Sequence, residues 1–244
     1  MEKPPVTKEE KALHTIARLK QDYNQSLSDV EHPTLMETTA TFSFTEELLR
    51  SSTGHTYISY AQRNAPASEQ PDYEHIEEKS SVNKELRDFL NSQLEKEIVL
   101  DLGAGVQGIG YIIANESKAA GYIGVEMNYA ETLNNRCIEM SGETPFTILQ
   151  KDLGEVLLNM AEHNEKVKMV IYSGIDAASY SGGIPLEQIW ERIAKVMEEN
   201  GILLLGGNLG WYGDEFGSIE GLKQLFEEIR MDNLPLTIRF YKKK

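Results

Sequence analysis

The chain has 244 residues, a formal charge of −15 and a single cysteine, which excludes an internal disulfide and a cysteine-based zinc site. The acidic balance opposes attraction to phosphate backbones, the sequence-independent base of nucleic-acid affinity. No apolar run approaches the ~20 residues that cross a bilayer, and the charged stretch from Met1 to Glu10 has no signal-peptide core, so a cytoplasmic protein without a membrane partner is expected.

Residues 1–93 are polar and loop-rich, and a mainly helical cap or lid is expected there. Thr7 to Leu27 reads as a helix, with Thr7 and Glu10 forming a capping-box pattern and Leu13, Ile16, Ala17 and Leu19 at helical spacing. Alternation over Thr38–Phe44 suggests a short strand, and Ser43 with Glu46 opens a short helix through Arg50. His55–Gln62 alternates polar and aromatic residues, as a strand or an extended lid would. The prolines of Ala65–Tyr73 mark a loop. Ser81 to Leu94 is a helix carrying Leu86, Phe89, Leu90 and Leu94 on one face.

Residues 94–244 change rhythm and are expected to form the second domain. Strands are predicted at Ile98–Leu102, Tyr122–Val125, Phe146–Leu149, Val167–Tyr172, Gly201–Leu205 and Leu236–Tyr241. Helices are predicted between them at Tyr111–Ala120, Ala130–Met140, Leu153–His163, Leu186–Glu199 and Ile219–Arg230. Short, fully apolar strands alternating with helices indicate an α/β, doubly wound, mostly parallel sheet covered on both faces. In such sheets a ligand binds beyond the carboxyl ends of the strands, at the topological switch point.

The residues after the first three strands are chemically distinctive. Val99–Gly108 reads VLDLGAGVQG, in which Gly103 and Gly105 let the backbone turn sharply and approach a ligand closely. Asp101 argues against a pyrophosphate there and suits a ligand carrying positive charge. Glu126 ends the second strand, 126 − 108 = 18 residues beyond Gly108, which suits hydrogen bonding to ribose hydroxyls. Asp152 follows the third strand, placed to accept from an adenine amino group. Each carboxylate alone could be a solvated loop residue; their recurrence at successive strand ends makes the pattern. Gly103, Gly105 and Gly108 also fit the dinucleotide fingerprint G-x-G-x-x-G, but Asp101 is atypical there and the chain is short for a second catalytic domain.

With these residues in place, 95–241 resembles the seven-strand (class I), Rossmann-like S-adenosylmethionine-dependent methyltransferases, most clearly at DLGAG, Asp101–Gly105. The resemblance implies that S-adenosylmethionine is the cofactor, and that Gly103, Ala104 and Gly105 line its methionine portion. It implies that Glu126, with Met127 beside it, takes the ribose, that Asp152 and Leu153 hold the adenine, and that Ser173 lies beside the sulfonium. Two departures stand out. Gln107 occupies the place of the family's usual third glycine and either crowds the loop or donates to the ligand. Members usually close the sheet with a two-strand hairpin, yet only Leu236–Tyr241 is visible as a closing strand, leaving either one strand fewer or an edge supplied by the N-terminal part.

The acceptor is less legible, because methyl transfer from a sulfonium needs positioning more than a catalytic side chain. Proton-acceptor candidates are Asp176, three residues after Ser173, and His55; His163 reads as a helix-end residue complementing the dipole. Tyr57 and Tyr60 in the possible lid, and Trp211 and Tyr212 in the glycine-rich run Gly206–Gly217, are candidates for an acceptor pocket. The expected activity is methyl transfer to a small molecule. The run Gly124–Arg136 is similar to the seven-strand lysine methyltransferases that modify histones, so a protein acceptor stays open, as does a catalytically silent nucleoside-binding module. No metal is expected.

Overall fold

Short apolar runs assemble side by side because each can bury both faces only inside a helix-covered sheet. In the computed structural model, which describes residues 6–23, 26–29, 86, 88–105, 108–173, 186–206, 219–230 and 238–244, seven strands form one sheet. The strands are β1 (Ile98–Leu102), β2 (Gly121–Val125), β3 (Phe146–Leu149), β4 (Val167–Ser173), β5 (Met197–Gly206), β6 (Phe226–Ile229) and β7 (Ile238–Lys243). Their order is β3-β2-β1-β4-β5-β7-β6. The first five are parallel, and β7 runs antiparallel to both β5 and β6. The helices are α1 (Lys8–Asp22), α2 (Ile109–Glu116), α3 (Ala130–Glu139), α4 (Leu153–Glu162), α5 (Leu186–Val196) and α6 (Ile219–Leu225), and residues 88–94 are also helical.

Side chains alternate faces along each strand, which sorts the core into two layers. Ile98, Leu100, Leu102, Ile123, Val125, Leu203 and Leu205 pack with α1, α4 and α5. Val99, Tyr122, Met169, Ile171, Ile202 and Leu204 pack with α2, α3 and the helical residues Leu86, Leu90 and Leu94. Phe89 meets Phe240 edge-on at 5.7 Å on this second face.

Within the expected cap, α1 is built into the sheet's own core. Its capping box forms as predicted: Glu10 N–H donates to Thr7 Oγ1 at 3.1 Å, and Thr7 N–H to Glu10 Oε2 at 2.8 Å. The helix stops at Asp22, five residues short of the expected Leu27, and its buried face is Ala12, Thr15, Ile16 and Leu19, whereas Leu13 is half exposed. Contact with β2 is close: a Cβ on Gly121 would lie 2.8 Å from Ile16 Cδ1. Arg18 ties α1 to the start of β4, donating to Glu165 Oε1 at 2.7 Å and to Asn159 Oδ1 at 2.8 Å. The readings at Thr38–Phe44, Ser43 to Arg50, His55–Gln62 and Ala65–Tyr73 lie outside the described residues.

The helix expected over Tyr111–Ala120 runs from Ile109 and ends at Glu116, and two further predicted helices give way to strands. The helix expected over Leu186–Glu199 ends at Val196, and Met197 pairs with Val167 as the start of β5. The helix expected over Ile219–Arg230 ends at Leu225, and Phe226–Ile229 becomes the edge strand β6. In both places a helix-favouring Glu-Glu pair continues the helical pattern, and tertiary pairing overrides it. The β6–β7 pair therefore supplies the closing hairpin, and among the described residues the sheet has seven strands with none from the N-terminal part.

Candidate cofactor site

Parallel register sets the site. Leu102 lies beside Val125, so Gly103 and Glu126 emerge together at the carboxyl edge of the sheet. The ladder continues past the strands: Gly103 and Ala104 both donate N–H groups to the Val125 carbonyl, at 2.9 and 3.1 Å, and Glu126 N–H donates to Leu149 O at 3.0 Å. Gly103, Gly105 and Gly108 then turn through φ of 68°, 60° and 67°, a left-handed region that side chains disfavour. This turn stands where β1 crosses to β2 on one side and β4 lies on the other, the switch point of the strand order.

Glu126 is the centre of the arrangement. It is 8% exposed. Its Oε2 accepts the Gly105 N–H at 2.8 Å, and its Oε1 accepts the Asn128 and Tyr129 N–H groups at 2.9 and 3.3 Å. One side chain thus binds the glycine turn to the β2–α3 connection. A carboxylate offers about four acceptor positions, so these three bonds leave about one for a ligand hydroxyl. Beside it Met127 is 45% exposed, an apolar side chain at a strand end where most neighbours are covered.

Asp101 lies within β1. Alternation along β1 groups it with Val99, toward α2 and α3, and not toward the open edge. It is 3% exposed, and the Tyr122 hydroxyl donates to its Oδ2 at 2.9 Å. Burial pushes its carboxyl up to about 7; the Tyr122 hydroxyl opposes that rise, the Glu126 charge adds to it, and the Gly110 N–H opposes it. The approach of α2 is tight: a Cβ on Gly110 would lie 2.2 Å from Asp101 Oδ2. Asp101 therefore sits against the start of α2, close behind the glycine turn. Burial also raises the Cys137 thiol to about 12, leaving it no thiolate character near neutral pH.

Asp152 is the N-cap of α4, its Oδ1 accepting the Gly154 and Glu155 N–H groups at 2.8 and 3.2 Å. Leu153 is buried directly behind it. Ser173 ends β4 in register with Gly206 of β5, at the same edge as Leu102, Val125 and Leu149. His163 is the C-cap of α4, with Nδ1 2.9 Å from Asn159 O, at the far end of the helix from the strand ends. Gln107, His55, Tyr57, Tyr60, Asp176, Trp211 and Tyr212 lie outside the described residues. Among the described residues no group of three His, Cys, Asp or Glu side chains could hold a metal ion, and no helix is long and apolar enough to cross a membrane. An open depression of about 550 Å³, lined in part by Lys166, Glu191, Lys195 and Lys243, lies at the opposite edge of the sheet from the glycine turn.

Sequence reasoning missed Tyr122, Gln150 and Asp29. Tyr122 was legible in principle: with Asp101 paired to Gly124, the residue two before Gly124 shares the carboxylate's face. Gln150 and Asp29 carry no local signal, because the bonds that tie them to Ser28 and Thr132 join segments more than 100 residues apart.

No family model matches the chain, and no curated protein matches it in sequence. Its fold is similar to that of a Streptococcus mutans protein described as a S-adenosylmethionine-dependent methyltransferase, at 11% identity and a TM-score of 0.48, covering 65% of this chain and 47% of that one. A second, described as a methyltransferase complexed with S-adenosylhomocysteine, gives 11% identity and a TM-score of 0.49, covering 65% and 48%. The chain thus matches about half the length of each. A Streptococcus thermophilus rRNA methylase gives 16% identity and a TM-score of 0.46, covering 65% and 94%. On its own strand order and connections, this chain has a doubly wound, Rossmann-like sheet closed by an antiparallel pair, the architecture implied by its resemblance to the seven-strand methyltransferases.

Proposed function

We propose that the chain is a S-adenosylmethionine-dependent methyltransferase acting on a small-molecule acceptor. The observation that carries the reading is the Glu126 carboxylate, buried at the end of β2 and bonded to the Gly105 N–H at 2.8 Å. A carboxylate held there would offer a ribose hydroxyl an acceptor beside the glycine turn. The residues fit a nucleoside carrying a short cationic arm: Glu126 for the ribose, the half-exposed Met127 for the adenine face, and Gly103 to Gly105 for the arm.

When bound, S-adenosylmethionine supplies an activated methyl group on a sulfonium. The chain's own part is to hold and orient. Glu126 fixes the turn and the β2–α3 connection relative to each other, and Asp101 fixes α2 behind them. Ser173 at the end of β4 is the nearest candidate to the reacting centre, and Asp176 and His55 are proposed to accept a proton from the acceptor where one must leave. Tyr57, Tyr60, Trp211 and Tyr212 are proposed to line the acceptor pocket, with the part of residues 1–93 that lies between the two core-packed helices contributing the cap.

The net charge of −15 favours a small molecule over RNA, even though one similar structure is named as an rRNA methylase. A cytoplasmic location fits the single, buried Cys137. Titration calorimetry with S-adenosylmethionine, S-adenosylhomocysteine and NAD tests the cofactor: micromolar binding of the first two and none of NAD is expected, and the reverse overturns the reading. A radiolabelled methyl-transfer screen over small-molecule, protein and RNA acceptors tests the rest. Label recovered only in protein or RNA would overturn the small-molecule assignment.

A further inference from the structure

Helix α3 has no cap of its own. Its N-cap residue Tyr129 makes no side-chain cap bond, which leaves the first N–H groups of the helix to find partners elsewhere. They find one 103 residues earlier in the chain. Asp29 Oδ1 accepts the Thr132 N–H at 3.0 Å, its Oδ2 accepts the Thr132 hydroxyl, and Asp29 pairs with Tyr129 as an isolated antiparallel bridge. The adjoining Ser28 is gripped at main-chain level by Gln150, the first residue after β3. Gln150 Oε1 accepts the Ser28 N–H at 3.1 Å, and its Nε2 donates to Ser28 O at 2.7 Å and to Met127 O at 3.3 Å.

These bonds converge on one short stretch, Met127 to Thr132. Glu126 holds it from the inner side through the Asn128 and Tyr129 N–H groups. Asp29 and Gln150 hold it from the outer side. We propose that Asp29 and Gln150 are positioning residues, which strap the segment 26–29 across the ends of β2 and β3 and so fix the Met127–Tyr129 connection for nucleoside binding. This rests on the cofactor reading above. The strap acts through Glu126: once Asn128 and Tyr129 are released, the carboxylate loses two of its three donors and the rotamer that presents it to a ribose. Its bonds are exposed to solvent, so the strap can open without unfolding the sheet.

The test uses the full chain and S-adenosylhomocysteine as probe. Asp29→Ala and, separately, Gln150→Ala should each weaken binding about fivefold, the effect of losing one helix cap. Asp29→Asn keeps an oxygen for the Thr132 N–H and should restore near wild-type affinity. Amide exchange over residues 127–135 should speed up in Asp29→Ala without ligand, while the melting temperature falls by no more than the few degrees that one lost cap costs. A merely structural contact would lower the melting temperature and leave the affinity of the folded protein unchanged, and that result overturns the strap. So does unaltered exchange over 127–135. Wild-type protein that binds neither S-adenosylmethionine nor S-adenosylhomocysteine instead sinks the cofactor reading, with the exchange data still reporting whether the strap holds the connection.

Discussion

The two halves of the sheet are held in different ways. At the ends of β1 to β3, polar side chains grip main-chain groups: Glu126 on Gly105, Asn128 and Tyr129, and Asp152 on Gly154 and Glu155. Across β4, β5 and β7 the described contacts are mostly packing: Trp190, 1% exposed, meets Tyr172 edge-on at 5.2 Å, and Phe240 lies against Phe89. The first half spends its polar groups on fixing loop geometry, which a ligand site needs. The second half supplies the apolar burial that keeps the sheet folded.

That division can be broken by experiment. The largest stability loss should come from the packed half: Trp190→Ala is expected to cost about 3–5 kcal/mol in denaturant unfolding. Its affinity for S-adenosylhomocysteine, measured on the folded fraction, should barely change. Gly110→Ala drives a methyl group into Asp101 and Tyr122, and should cost about 1–3 kcal/mol. Unlike Trp190→Ala, it should also weaken binding, because α2 and the glycine turn move together. If both variants lose affinity equally, the halves do not differ as described.

Asp101 gives a pH test. Its folded carboxyl is raised to about 7 from an ordinary 3.8, so the native state holds a proton that the unfolded chain has already released. Its contribution to stability is fully present below about pH 4 and is lost as pH rises through 7, at no more than about 1.4 kcal/mol per pH unit. Asp101→Asn should therefore flatten the unfolding free energy between pH 4.5 and 7.5 relative to wild type. A slope unchanged by the substitution contradicts the burial argument. The smallest effect belongs to Asp152→Ala, about 1 kcal/mol for a lost N-cap. Asp152→Asn keeps the cap, so any loss of affinity it shows reports an adenine contact and not helix stability.

Much of this was legible in the sequence, for a physical reason. Ile98–Leu102 and Phe146–Leu149 were read to the residue, because short strands flanked by Glu97 and Gly103, and by Pro145 and Gln150, have sharp edges in composition. The glycine turn and Glu126 were legible because a backbone reversal and a strand-end carboxylate are local features. Asp101 was legible as a residue, but its Tyr122 partner was not, since that pairing follows from alternation along β1 and from the register with β2. The junctions at Met197 and Phe226 were missed because nothing but strand pairing stops a Met-Glu-Glu or Phe-Glu-Glu run from staying helical. Asp29 and Gln150 were invisible for the same reason: their meaning lies wholly in contacts between distant segments.

The central claim is that the buried carboxylate after β2 holds a nucleoside against the glycine turn. Calorimetric titration of S-adenosylhomocysteine into wild type and Glu126→Ala, with melting temperatures recorded for both, tests it most directly. The account predicts micromolar binding to wild type and at least about a tenfold loss in the variant, the effect of a deleted charged hydrogen bond, in a protein that still melts cooperatively. Equal affinity in the two proteins would contradict it.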